Sequence, residues 1–289
     1  MRVGVGAGGA DAASLVRKAP QPKGLITPAP TSGPVRIDRY WPSPPISALV
    51  RHYWIPRWNL PPGARLRQEV LEYPTANLVI EPTVARLYRA QRGRFSRTLE
   101  DVGWAFGVLL QPGTARGLLG VSVRTLPMSA DLSALALTAV EPLLADVRGR
   151  VQAGDDAGAI DVFEGWLAGQ MTEPDDDALL IDEIVSAVEA DRDLLRVEEL
   201  ADRFGLGVRH LQRLVGSHIG FSPKWLIQRY RLQEAAAALR NDNPPALAEL
   251  AATLGYADQA HFSREFRSVV GATPHAYGSL ARAEREGTA

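Results

Sequence analysis

The sequence predicts a two-domain chain: an N-terminal domain that is mainly β, cupin-like or a sandwich, with helices trailing it, followed by an all-α domain of tandem helix-turn-helix units. Three observations carry this. A length of 289 residues suits two domains at about 150 residues each. Near residue 130 the apolar pattern changes from short runs punctuated by Pro and Gly to helical spacing. Two segments near the C-terminus repeat one another position by position.

Composition sets outer bounds. Apolar residues make up 46 % and charged residues 22 %, ordinary for a chain that buries real cores. Cysteine is absent, which excludes a disulfide framework, a thiolate zinc site and a cysteine nucleophile. Residues 1–19 lack the apolar core of a signal peptide, and the longest apolar stretch, 132–144, is interrupted by Glu141. A cytoplasmic chain without membrane contact is therefore expected. The net charge of −1 hides three regions: residues 1–140 carry 17 Lys/Arg against 8 Asp/Glu, residues 141–191 carry 2 against 14, and residues 192–289 carry 13 against 11. An excess of two basic residues is a weak nucleic-acid footprint, so the case for DNA rests on pattern.

Residues 1–33, rich in Gly, Ala and Pro, read as a flexible tail. Gly4, Gly6 and Gly9 fit G-x-G-x-x-G, but three preceding residues cannot supply the strand a dinucleotide-binding turn requires. From 34 to 128 the runs RLRQEVLEY, NLVIE, VARLYRA, WAFGVLLQPG and GLLGVSVRTL read as strands of a β-rich regulatory domain. Residues 129–177 place Leu132, Leu143, Leu144, Val147, Val151, Ile160, Phe163 and Leu167 at helical spacing, which predicts two helices serving as linker and dimerisation segment. The acidic stretch Glu173 to Asp177 reads as a solvated hinge whose last Asp caps the next helix. The helical domain runs from 178 to 281, leaving 282–289 as a tail.

Within that domain, VEELADRFGLGVRHLQRLVGSHIGFSP aligns with LAELAATLGYADQAHFSREFRSVVGATP. Leu200, Ala201 and Gly205 match Leu250, Ala251 and Gly255 at an offset of 50; Leu211, Arg213, Gly220 and Pro223 match Phe262, Arg264, Gly271 and Pro274 at 51. Each copy is a helix with a small inner residue, a glycine past its end, and a second helix, which is the logic of a helix-turn-helix. Asp258 is a good cap for the second helix of the second copy, whereas Gly207 is a poorer one.

Leu211, Leu214 and Val215, or Phe262 and Phe266, form the apolar stripe of the second helix. The opposite faces carry Arg209, Gln212 and Arg213 in one copy and Gln259, Ala260, His261, Ser263 and Arg264 in the other. Arg and Gln are suited to bidentate bonds with guanine and adenine edges in the major groove, so these are the expected base-reading residues. Residues 223–240 predict a helix of roughly 27 Å. A rod of that length is fit to set two recognition helices on successive major-groove faces about 34 Å apart. Lys224, Arg229, Arg231 and Arg267 are the expected phosphate contacts.

On these residues, the span from Asp182 to Ala281 resembles the AraC/XylS family of bacterial transcription regulators, most closely in LAELAATLGYADQAHFSREFRSVVGATPHAY. It departs from the family pattern at Gly207 and Val208, where a Ser-Pro-like cap is usual. The resemblance implies seven helices, with recognition helices near 208–217 and 259–269, and a preceding domain that senses an effector or mediates dimerisation. The N-terminal motifs YWPSPPISALVRHYW and EYPTANLVIEP resemble an uncharacterised domain of some actinobacterial members. With His52 as the one histidine of the β-rich region, a three-histidine metal centre is excluded. Trp54, Tyr73 and Trp104 are candidates for an effector pocket.

The expected function is sequence-specific regulation of transcription, as an activator. The expected partners are double-stranded DNA, RNA polymerase, a small effector and a second copy of the chain; no cofactor is expected. A ligand sensor or scaffold with incidental DNA contacts is the alternative. Enzymes are disfavoured: alkylation-repair methyltransferases with similar DNA domains need a cysteine acceptor, and no nucleophile, base and orienter lie together in the sequence.

Overall fold

The computed structural model describes residues 34–171 and 173–286; the expected N-terminal tail with its Gly4, Gly6 and Gly9, and the last three residues, lie outside them. Nine strands form the first half: β1 Val35–Tyr40, β2 Val50–Asn59, β3 Arg65–Val70, β4 Asn77–Ile80, β5 Ala85–Tyr88, β6 Phe95–Glu100, β7 Val102–Trp104, β8 Phe106–Leu110 and β9 Ser129–Asp131. The larger antiparallel sheet runs β1-β2-β8-β4-β5-β9, with β7 also on β2, while β3 and β6 pair as a separate two-stranded sheet.

Alternation along the strands gives the larger sheet two different faces. One face, with Tyr53, Ile55, Leu78, Ile80, Phe106 and Val108, is fully buried. It packs against α2 (Val140–Ala153) and α3 (Asp156–Gln170) through Leu143, Leu144, Val147, Phe163 and Leu167. Each such side chain contributes about 1.5–3 kcal/mol on burial. The two helices are therefore part of the N-terminal domain, which corrects the reading of 129–177 as a separate dimerisation segment: the apolar positions that prompted it are buried against the chain's own sheet. The other face turns toward β3 and β6.

Two further local readings change. GLLGVSVRTL is not a strand but α1 (Thr114–Leu119) followed by a short 3-10 turn at Val123–Thr125. Thr114, Ala115 and Leu118 are its buried positions, a helical spacing that so short a run does not distinguish from a strand. The cap of α4 (Asp176–Ala190) is Asp175, which accepts from the Ala178 N–H at 2.7 Å, rather than Asp177, which lies in the first turn.

Six more helices follow α4: α5 Val197–Arg203, α6 Val208–His218, α7 Pro223–Leu239, α8 Leu247–Thr253, α9 Gln259–Val270 and α10 Pro274–Glu286. The sequence repeat is a structural repeat. Leu206 N–H donates to Ala201 O and Tyr256 N–H to Ala251 O, both at 2.9 Å, around Gly205 (φ +62°) and Gly255 (φ +76°). These are left-handed positions where a side chain is strained. Helix α7 bridges the copies: Leu226, Ile227 and Tyr230 enter the first core, and Leu232, Ala235, Ala236 and Leu239 the second.

Candidate nucleic-acid interface

Helices α6 and α9 each bury one stripe and leave the other in solvent. Leu211, Leu214 and Val215 are buried on α6, and Phe262, Phe266 and Val270 on α9. Arg209, Gln212 and Arg213 are exposed, as are Gln259, Ala260, His261 and Arg264, while Ser263 is half-buried. The base-reading candidates thus fall on the free faces of two equivalent helices. Their entrances differ: the Asp258 carboxylate accepts from the His261 N–H at 2.6 Å, whereas Gly207 offers no side-chain cap. The backbone donors at the α9 N-terminus hold the Asp258 carboxyl below its ordinary range.

Of the four expected phosphate contacts, Lys224 and Arg267 are exposed. Arg229 and Arg231 are not, with 2 % and 1 % of their surface accessible, and this corrects their assignment. Arg229 Nε donates to Glu72 O at 3.0 Å, and both its terminal nitrogens reach Gly93 O at 3.2 Å. Arg231 donates to Asp191 O at 2.9 Å and pairs with Glu234 at 2.6 Å. Both guanidinium groups are held by protein oxygens, apart from the partnerless but buried Arg231 Nε, and neither is available to DNA. Burial pushes Arg229 down to about 10, with Glu72 opposing, so it stays charged at neutral pH.

Arg229 belongs to a contact between the two domains that sequence reasoning missed. Gln233 Nε2, also on α7, reaches Leu71 O and Glu72 O at 3.3 Å. Arg51 of β2 pairs with Glu189 of α4 and donates to Tyr230 OH at 3.4 Å. Arg94 Nη1 reaches Val270 O at 2.8 Å, and Gly113 N–H donates to Asp182 at 2.8 Å. A signal for Arg229 did exist: Trp225, Leu226 and Leu232 stand at i−4, i−3 and i+3 on the same helix face. Its partners, on two distant loops, left none.

Between the larger sheet and the β3–β6 pair lies a cavity of about 160 Å³. Trp54 and Tyr73 line it, together with Trp58, His52 and Arg39. Trp104 does not, which corrects its assignment to an effector pocket. It stands opposite Arg57 in the register, and its Nε1 donates to Gln152 of α2 at 2.8 Å, on the helix side of the sheet.

This architecture defines a tandem helix-turn-helix protein with a β-sheet domain ahead of it. Residues 200–279 match the family model described as a helix-turn-helix domain, and residues 38–129 match a domain of unknown function (DUF6597). The chain is 38 % identical over 77 residues to the HTH-type transcriptional activator RhaS of Escherichia fergusonii, covering 27 % of each chain. It is 32 % identical over 81 residues to an uncharacterized HTH-type transcriptional regulator of Haemophilus influenzae, covering 28 % of this chain and 27 % of that one. The match thus spans about a quarter of the length of these curated relatives.

Among solved structures, the DNA-binding domain of AdpA in complex with a target DNA is 30 % identical, with a TM-score of 0.32, over 36 % of this chain and 94 % of that one. ToxT from Vibrio cholerae is 13 % identical, with a TM-score of 0.40, over 85 % of this chain and 97 % of that one. The C-terminal part of this chain thus matches a helix-turn-helix domain, and its N-terminal part matches a domain of a second family. No helix among the described residues is long and apolar enough to cross a membrane.

Proposed function

We propose that this chain is a sequence-specific transcription regulator that reads two adjacent major-groove segments of double-stranded DNA and is controlled by a small effector in the N-terminal cavity. The observation that carries the reading is the pair of equivalent helices, α6 and α9, whose free faces hold Arg209, Gln212 and Arg213, and Gln259, His261, Ser263 and Arg264. Arg213 and Arg264 occupy matched positions of the two units and are the proposed guanine readers. Ala260 suits a thymine methyl. Lys224 and Arg267 are the proposed phosphate contacts.

Effector control is supported by the shared wall between cavity and DNA domain. Leu71, Glu72 and Tyr73 line the cavity, and the carbonyls of Leu71 and Glu72 hold α7. A ligand pressing on this segment changes the seat of the helix that joins the two units. Action as an activator is the direction that the RhaS relatives, named transcriptional activators, favour, and contact with RNA polymerase in the cytoplasm is part of the same proposal. In a homodimer the second copy would meet another surface than the main apolar stripes of α2 and α3, which are buried against the chain's own sheet.

The test is competition between duplexes from a selected library, carrying two half-sites one turn apart, and random DNA at physiological salt. The selected duplex is expected to win. Arg213→Ala and Arg264→Ala are each expected to cost about 1–3 kcal/mol and to relax preference at one half-site only. Equal affinity for all duplexes, or unchanged preference in both variants, overturns the reading in favour of a sensor with incidental DNA contacts.

A further inference from the structure

The cavity walls are mostly apolar, with Ile37 of β1, Trp54 and Trp58 of β2, Val79 of β4 and Leu99 of β6 among them. Its charged groups are accounted for one by one. Arg97 is paired with Glu81 at 2.7 Å. Burial, with Arg39 and Arg51 nearby, pushes His52 down to about 3, so it is neutral at physiological pH. Burial raises Glu72 to about 7, opposed by Arg229 and by a hydrogen bond from Gln91. Its countercharge is Arg229.

Arg39 is what remains. Among the described residues it makes no hydrogen bond and no ion pair, and its Nε is buried without an acceptor. Burial pushes it down to about 10, which still leaves it charged at neutral pH. The Arg39 side chain is half-buried, and a cation withdrawn from water without a counter-ion is costly, so such charges are ordinarily paired. Arg39 faces Trp54 directly across the β1–β2 register, and the Trp54 indole is fixed by its N–H to Asn77 Oδ1 at 3.1 Å. An oriented aromatic plane therefore stands beside an unused guanidinium. The size of the space limits what fits: an apolar cavity of about 150 Å³ holds one benzene ring.

We propose that this cavity binds a small organic anion, one carboxylate on an apolar body the size of a single ring, with the carboxylate on Arg39 and the ring against Trp54. The assignment rests on the effector reading above and gives it a ligand class. Arg39 supplies a fork of N–H donors that matches a carboxylate. Trp54, Trp58 and the aliphatic walls take the apolar body, and no second free cation among the cavity-lining residues calls for a dianion.

Three probes of one shape and different charge test it on the full chain: phenylacetate, phenylacetamide and phenethylamine, followed by titration calorimetry and by quenching of tryptophan fluorescence. Phenylacetate is expected to bind at least about tenfold tighter than the amide, and the amine not at all. Arg39→Gln brings the acid to about the affinity of the amide, whereas Arg39→Lys keeps part of the preference. The wild-type ranking stands as a test even where a variant fails to fold. An amide or amine that binds as well as the acid, an acid preference that survives Arg39→Gln, or no binding of any probe at millimolar concentration overturns the proposal. Binding is read without DNA, so failure of the DNA-binding reading shows in the duplex competition and failure of the ligand class shows here.

Discussion

Replacing Arg229 by Met separates a DNA contact from a contact between domains. The substitution keeps the unbranched aliphatic stem and removes the guanidinium. In the wild type that group donates to Glu72 O at 3.0 Å and to Gly93 O at 3.2 Å in a closed interface. Without it Gly93 O loses both its donors and Glu72 O keeps only the bond from Gln233 at 3.3 Å, and a buried carbonyl left unmet costs about 1–3 kcal/mol. The loss is therefore about 1–4 kcal/mol, which for a chain of this size lowers Tm by roughly 2–15 °C. The assay pairs a thermal melt followed by circular dichroism with the salt dependence of duplex binding. A phosphate contact contributes about 0.9 to the slope of log affinity against log salt. Arg229→Met is expected to leave that slope unchanged while Tm falls. Lys224→Met, which removes an exposed charge, is expected to do the reverse: a slope smaller by about 0.9 at an unchanged Tm. If Arg229→Met melts with the wild type and flattens the slope, the structural assignment of Arg229 is wrong and the phosphate contact is restored.

Two other outcomes are expected. Asp258→Ala removes the side-chain cap of α9 and destabilises the chain by about 1 kcal/mol, read by chemical denaturation, and weakens preference at the second half-site before the first; equal effects on both half-sites would contradict the one-sided cap. His52 titrates at about 3 in the fold, against an ordinary value of 6.5. Its contribution is thus complete above pH 6.5 and is lost as pH falls, because only the unfolded chain takes up the proton. Between pH 6.5 and 5 the wild type is expected to lose up to about 2 kcal/mol relative to His52→Gln. Parallel stability curves for the two proteins over that range would refute the burial of a neutral imidazole beside Arg39 and Arg51.

Much of the C-terminal domain was legible because its determinants are local. A glycine past a helix end, a carboxylate at a cap and a small residue on an inner face act within a few residues of themselves, and their duplication at offsets of 50 and 51 multiplies a weak signal. The limits of the two recognition helices follow from them: α6 begins at Val208 and α9 at Gln259, the starts that the family resemblance implies. Where the local code is ambiguous, as in the short apolar run 117–126, strand and helix were not distinguishable; in the fold Leu118 and Val123 enter the N-terminal core from a helix and a turn.

The sequence by itself determined the two-domain plan, the tandem helix-turn-helix and the two polar faces offered to DNA, because periodicity and turn chemistry are written along the chain. Only the tertiary structure decided which arginines remain free to meet phosphate, on which side of the sheet Trp104 falls, and that Arg39 is left unpaired at the wall of a cavity. Those outcomes depend on strand register and on the seating of one domain against the other. A charge on a helix becomes a solvent-facing contact or a buried clamp according to what distant segment covers it, and no residue spacing along the helix states what that segment is.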